Sequence, residues 1–329
     1  MSHDLLVLLR DDSLPESLPE FTRRFSSERA CAQFLREWKY GAAGFCCPRC
    51  GSSKCWYLPS RRLDECRACH RQVSLTSGTV MHGARKPLRL WFLAMYEFVV
   101  SKQGISATEL ARRIGLSLPT AWTWLHKLRA AVGTRPKARL RGEVEVDETY
   151  EGGVDEGRTG RPRVGRKKAL VAGAIEIKET EWGRLRLDSL KDGSALSLTA
   201  FLKENVAVGS SLLSDGWPPY KLVAENCDLE HHPINIRGSG KRAHEVMPAT
   251  HRVFSLLHRV LLTTYQGAVS KKHLPNYLAE YVFRFNRRNS ASRTLLFQRL
   301  LNYSVRRRPP YYWEIVGRPD GDTPLWKAA

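Results

Sequence analysis

The sequence predicts an α/β chain in which a mixed sheet flanked by helices follows two small modules, one held by metal and one helical. Three observations predict it. Two Cys-x-x-Cys pairs stand close together near the N-terminus, and two short helical patterns on either side of a glycine come after them. Beyond residue 141, three strand-like runs, a helical run and a fourth strand-like run succeed one another, and an aspartate ends the first and the fourth. At 329 residues the chain is long for one core, so several domains are expected. The expected order is an N-terminal helical segment (1–40), a zinc ribbon (41–84), a helix-turn-helix (85–134) and a basic linker (135–141). A catalytic domain (142–290) and a C-terminal helical tail (291–329) complete it.

Charge narrows the partner. Lys and Arg total 53 against 33 Asp and Glu, a formal +20, and such an excess is the footprint of a polyanion such as nucleic acid. No stretch approaches the ~18 apolar residues of a membrane span. The first residues carry Asp4, Asp11 and Asp12 instead of a basic signal start. The expectation is a soluble, cytoplasmic protein with no membrane partner.

Residues 27–40 read as an amphipathic helix, with Ala30, Phe34, Leu35 and Trp38 on one side and Ser26 or Ser27 as cap. Seven of the eight cysteines then fall between Cys31 and Cys69. Four of these form Cys47-Pro-Arg-Cys50 and Cys66-Arg-Ala-Cys69 with fifteen residues between the pairs, which is zinc-ribbon spacing. Each knuckle offers two thiolates on a tight turn, and so small a module folds only with its metal. Cys31, Cys46, Cys55 and Cys227 are left as ordinary thiols; Cys46 could replace Cys47 with an altered spacing.

An apolar helix is expected over 87–100. Next, Ser106 or Thr108 caps a helix bearing Leu110, Ala111 and Ile114, Gly115 breaks it, and a second helix buries Ala121, Trp124, Leu125 and Leu128. In that helix-turn-helix, Thr120, Thr123, His126 and Lys127 would face outward toward base edges or phosphates. A packing-only helical hairpin is the alternative.

The basic linker leads into Glu143-Val-Glu-Val-Asp-Glu-Thr-Tyr150, where Val144 and Val146 alternate with Glu145 and Asp147. One face is buried and the other acidic. The glycine-rich stretch from 152 to 168 carries Arg158, Arg161, Arg163, Arg166, Lys167 and Lys168, expected to clamp DNA phosphates. Strands over 169–177 and 184–190 form a hairpin, a helix runs over 195–205, and the strand of Ser211-Leu-Leu-Ser-Asp215 follows. Asp147 and Asp215, each held rigidly at a strand end, can share two divalent ions about 3.5–4 Å apart, the arrangement of in-line phosphoryl transfer. Three meandering strands, a helix and another strand is the order of a ribonuclease-H-like fold. Residues 273–303 read as strongly helical.

With these residues in view, the chain resembles the DDE insertion-sequence transposases of the ISXO-like group. The likeness lies in Gly44-Phe-Cys-Cys-Pro-Arg-Cys-Gly51, Val144-Glu-Val-Asp-Glu-Thr-Tyr-Glu-Gly-Gly153, Ser214-Asp-Gly-Trp217 with Tyr220, and the run from Lys272 to Arg288. The resemblance implies a zinc ribbon joined to a ribonuclease-H-like catalytic domain. It also implies cleavage and strand transfer at the element's terminal inverted repeats, with two aspartates and a third residue on a later helix as ligands for two Mg or Mn ions. Double-stranded DNA, terminal repeat and target, would be the partner, with a homodimer or larger complex joining two ends in a prokaryotic, nucleoid-associated setting.

The expected third ligand is a glutamate, yet position 251, with thirty-five residues between it and Asp215, is histidine. Pro248 suits a first helical turn, which puts His251 near an N-terminus and His258 two turns on, where the family has a lysine. Glu245 is the fallback acid. His251 is expected to complete the catalytic set with Asp147 and Asp215, and nitrogen ligation favours Mn over Mg. Trp217 and Tyr220 are expected either to stack on an unpaired base or to pack under the sheet. Two alternatives stay open: a DNA-binding regulator with an inactive transposase body, and a nuclease or resolvase that cuts without joining.

Overall fold

The computed structural model describes residues 15–133, 138–152, 168–179, 181–235, 238, 240–290, 292–306, 308 and 310–317. It divides into two compact units, Met1–Val132 with Ser290–Ala329, and Gly133–Asn289. Among the described residues no helix is long and apolar enough to cross a membrane.

The first unit begins with α1 (Leu18–Arg24) and α2 (Glu28–Tyr40). The Ser27 hydroxyl accepts from the Ala30 amide at 3.1 Å, a serine N-cap. Strands β1 (Cys55–Leu58), β2 (Leu63–Cys66) and β3 (Gln72–Ser74) form an antiparallel sheet. Helix α3 (Leu88–Val100) starts at Pro87, which has no capping side chain. Glu28 takes that role, accepting from the amides of Leu88 (2.7 Å) and Arg89 (3.2 Å). Helix α4 (Ala107–Ile114) is capped by Ser106 and ends at Gly115, whose φ of +68° is the left-handed conformation glycine tolerates. Helix α5 (Leu118–Gly133) follows. Arg113 of α4 binds Glu97 of α3 at 2.6 Å, fixing that helix pair on its neighbour.

The second unit is built on five strands: β4 (Glu143–Glu151), β5 (Ala169–Ile177), β6 (Trp182–Leu190), β7 (Ser211–Asp215) and β8 (Glu230–Ile234). Their spatial order is β6-β5-β4-β7-β8, with β4, β5 and β6 antiparallel and β7 and β8 parallel to β4. This mixed order is that of a ribonuclease-H-like sheet. Helices α6 (Ala195–Asn205) and α7 (Pro219–Asn226) cover one face through Leu198, Phe201, Leu202, Tyr220 and Val223 on Val144, Val146 and Leu212. After the single turn α8 (Ala243–Val246), helices α9 (Pro248–Thr263) and α10 (Leu274–Phe285) cover the other face through Val253, Phe254, Leu257 and Leu278 on Val171, Ile175 and Leu185.

The helix expected over 273–303 is broken. Helix α10 ends at Phe285, and α11 (Arg293–Val305) belongs to the first unit, as does the short α12 (Tyr312–Val316). Apolar periodicity runs on because each helix buries a face, but in different cores. The segment expected as a separate tail therefore contributes α11 to the N-terminal unit, where Phe297 meets Phe21 (5.1 Å) and Phe92 (5.8 Å).

Gln298 on α11 is fully buried, and among the described residues neither amide atom has a hydrogen-bond partner. Desolvating an unpaired amide costs about 1–3 kcal/mol. Gln298→Met, which keeps the length without the polar atoms, is expected to raise the melting temperature of this unit by several degrees in calorimetry. An unchanged or lower melting temperature would show that the amide is satisfied.

Candidate active site and zinc centre

The zinc knuckles are alike in backbone as well as sequence. Gly51 donates to Cys47 O at 2.9 Å and His70 to Cys66 O at 3.0 Å, and these two residues sit at φ +74° and +55°. Each turn therefore closes through a left-handed residue just after its second cysteine. The four sulfurs of Cys47, Cys50, Cys66 and Cys69 lie within 4.8 Å of one another. The Cys47–Cys69 and Cys50–Cys66 separations are 3.6 and 3.5 Å. A tetrahedron with Zn–S bonds of ~2.3 Å has edges of ~3.8 Å, so the donor set fits zinc. Burial opposes ionisation of Cys66, yet the amides of Cys69 and Ala68 and the adjoining thiols outweigh it and hold that thiol down at about 6, ready to ligate. Cys46 is exposed and outside this group.

In the second unit, the rungs Glu143↔Ser211 and Glu145↔Leu213 fix the parallel register of β4 and β7. The ladder stops at Glu145 and Leu213, and two residues beyond it on each strand stand Asp147 and Asp215, close enough for the Asp215 charge to act on Asp147. Their side of the sheet is the one under α9, since Val144, Val146 and Leu212 point to the other core. Asp215 Oδ1 accepts from the Trp217 amide at 3.2 Å, and Asp147 Oδ1 from the Glu148 amide at 2.8 Å. Burial, with the carboxylates of Glu148, Asp215 and Glu145 nearby, pushes Asp147 up to about 7. This accumulation of carboxylates around Asp147 fits divalent cations, which would relieve the repulsion.

Helix α9 is seated against this acidic face by two contacts. Buried Glu145 accepts from the Thr250 amide (2.7 Å) and hydroxyl (2.6 Å), so a strand carboxylate caps the first turn of the helix. Gly173 pairs with Asp147 across the β4–β5 ladder, and a Cβ there would lie 2.8 Å from the Phe254 ring. Glycine thus lets α9 approach closely. The result places His251 Nε2 3.8 Å from Asp147 Oδ2. Burial pushes the His251 pKa down, favouring neutral imidazole. His251 and Asp147 meet more loosely than the thiols, and among the described residues only the four cysteines bring donor atoms all within 4.8 Å. Glu245, by contrast, is exposed and accepts from the Arg242 amide at 2.7 Å as the cap of α8.

Further pairings extend along β4. His258 Nδ1 lies 3.2 Å from Glu151 Oε2, and Glu151 is 4% exposed. Tyr220 is fully buried and its hydroxyl donates to Glu148 at 2.8 Å. Trp217 packs against the same core. The packing role expected as one option for these aromatics is therefore what Tyr220 performs. Sequence reading put Glu145 on the acidic face but missed Glu148 and Glu151; the same alternation reaches Glu151, whereas Glu148 is out of phase and meets Tyr220.

Thr120 and Thr123 are half-buried on α5, and Lys127 has its pKa lowered by burial. His126, expected to face outward, is 1% exposed, its ring 4.3 Å from that of Trp122. From Trp124 onward α5 is buried on more than one face, so the apolar stripe alone misplaced it. Lys168 is half-buried, while Arg158, Arg161, Arg163, Arg166 and Lys167 lie outside the described residues.

Fold and site together define a ribonuclease-H-like domain with paired strand-end aspartates, carried on the same chain as a zinc ribbon. Residues 139–286 match the ISXO2-like transposase domain, and residues 26–72 match the transposase zinc-ribbon domain. The chain is 31% identical over 281 residues to an uncharacterized protein in transposable element ISH50 of Halobacterium salinarum, covering 80% of this chain and 92% of that one. The protein belongs to the ISXO2-like transposase family, enzymes that act on DNA. Among solved structures, a pre-cleavage Mos1 transpososome is similar at 13% identity with a TM-score of 0.28, over 65% of this chain and 76% of that one. A simian T-cell lymphotropic virus intasome has the same identity and score over 57% and 67%.

Proposed function

We propose that this protein is a DNA transposase that binds the terminal inverted repeats of its own insertion sequence and catalyses strand cleavage and strand transfer. The carrying observation is the placing of Asp147 and Asp215 at the ends of adjacent parallel strands, near enough to act on each other, with His251 brought to 3.8 Å from Asp147. These three residues would hold two Mg or Mn ions. When bound, such ions supply charge neutralisation at the attacking and leaving oxygens of an in-line displacement. The protein's part is positional. Glu145 fixes α9 and thereby His251, the Trp217 and Glu148 amides orient the two aspartates, and Lys168 with the preceding arginines seats backbone phosphates. Thr120, Thr123 and Lys127 are the side chains of α5 proposed to touch DNA. Because two element ends must be joined, a homodimer or larger assembly is proposed.

The test is incubation of purified protein with labelled terminal-repeat DNA and Mn. Cleavage followed by joining to target DNA is expected. Binding without cleavage would make the protein a regulator, and cleavage without joining a nuclease; either outcome overturns the proposal. His251→Ala is expected to reduce cleavage by about 10- to 100-fold, and the unaltered protein should work better with Mn than with Mg. Cleavage by His251→Ala at the unaltered rate would remove that residue from the site.

A further inference from the structure

The zinc ribbon carries an aromatic surface that DNA cleavage does not use. Trp56, in β1, is 45% exposed. Its neighbour Tyr57 points toward α2, with the Arg36 guanidinium 5.0 Å from its ring, so the alternation of the strand turns Trp56 outward. Trp56 is paired with Glu65 on β2, which is paired with Gln72 on β3. Glu65 accepts from Gln72 Nε2 at 2.8 Å and lies 3.5 Å from His70 Nδ1. The His70 ring is 28° from the plane of the indole, with centroids 6.2 Å apart. The Arg67 guanidinium lies 5.3 Å from the Trp56 centroid, and the Arg67 amide donates to Lys54 O at 3.0 Å. Lys54 and Arg67 also line a groove of about 500 Å³ with Arg36, Glu37, Tyr40 and Phe45, three cations to one acid.

We propose that Trp56 is a stacking platform for an unpaired nucleobase, with Lys54 and Arg67 holding the flanking phosphates, so that the ribbon grips DNA where its strands have separated. Three features lead there. First, an exposed indole bordered by cations suits a flat π-system joined to phosphates. Second, a base inside a duplex is already stacked on both faces, and freeing it costs a few kcal/mol; an unpaired base carries no such cost. Third, residues 41–84 hold six Arg and Lys against two acids. Asp64 is buried against Arg36 at 2.9 Å, and Glu65 is occupied by Gln72 and His70. The surface met by a ligand is therefore basic. A protein partner is disfavoured, because charged or polar side chains ring the indole in place of a continuous apolar patch.

This site goes beyond the proposed reaction and does not depend on it, because the test is binding alone. The full-length zinc-loaded protein is titrated, without Mg or Mn, against a fluorescent duplex with a single-stranded overhang of about five nucleotides and against its blunt counterpart. Trp56→Ala is expected to weaken overhang binding by about 5- to 150-fold and blunt binding by no more than about twofold. Trp56→Phe should restore most of the difference. The Lys54→Ala, Arg67→Ala pair should lower the salt dependence of overhang binding by about one unit of slope. Unchanged overhang affinity in Trp56→Ala, or equal loss on both probes with normal zinc content, would overturn the assignment.

Discussion

Asp215→Asn is expected to reduce cleavage of terminal-repeat DNA by at least about 10²- to 10³-fold while leaving unfolding temperature and DNA affinity in place. Asparagine keeps the size of the side chain, and its Oδ1 can still accept from the Trp217 amide, a bond of 3.2 Å in the native chain. Only the charge is removed. Asp147→Asn should behave alike, since its oxygen can retain the 2.8 Å bond from the Glu148 amide. Parallel assays of cleavage and of binding to the same labelled DNA distinguish lost chemistry from lost folding. Turnover by Asp215→Asn at the unaltered rate would exclude that carboxylate from the reaction.

Zinc removal should have an effect of comparable size on a different property. The sulfur cage sits in a core of only Phe45, Cys47 and Cys66, with Tyr40, Cys55, Cys69 and Val73 packed against it. So few apolar groups cannot order three strands of three or four residues each. In zinc-finger peptides the metal supplies about 10–16 kcal/mol of folding free energy. Elemental analysis is expected to find one zinc per chain. Cys66→Ser should lose the metal and expose the ribbon to limited proteolysis, whereas Cys46→Ser, at an exposed position outside the sulfur group, should keep it. Full zinc content in Cys66→Ser would break the proposed ligand set.

Local patterns were the legible part of this chain. The Ser27 cap and the stripe of Phe34, Leu35 and Trp38 located α2, and α6 begins and ends at the expected Ala195 and Asn205. Strand β8, Glu-His-His-Pro-Ile, escaped because it has no apolar alternation; among the described residues it pairs only with β7 at the sheet edge, where Pro233 is tolerated. The break between Phe285 and Arg293 escaped for the opposite reason, since periodicity persists on both sides of a turn without proline. For the candidate site, both aspartates were readable from their strand ends. Their relation to His251 depends on Gly173, Phe254 and the Glu145–Thr250 cap, contacts between elements about a hundred residues apart that no local window contains.

Because residues before 133 and after 289 share one unit, the Gly133–Asn289 unit is an insertion in the chain of the other, entered and left by the backbone once each. Truncating the chain just past the last catalytic helix would therefore leave the sheet and its aspartates whole. It would instead strip Phe297 from the aromatic cluster of Phe21 and Phe92, so the damage would surface in the unit that carries the zinc ribbon.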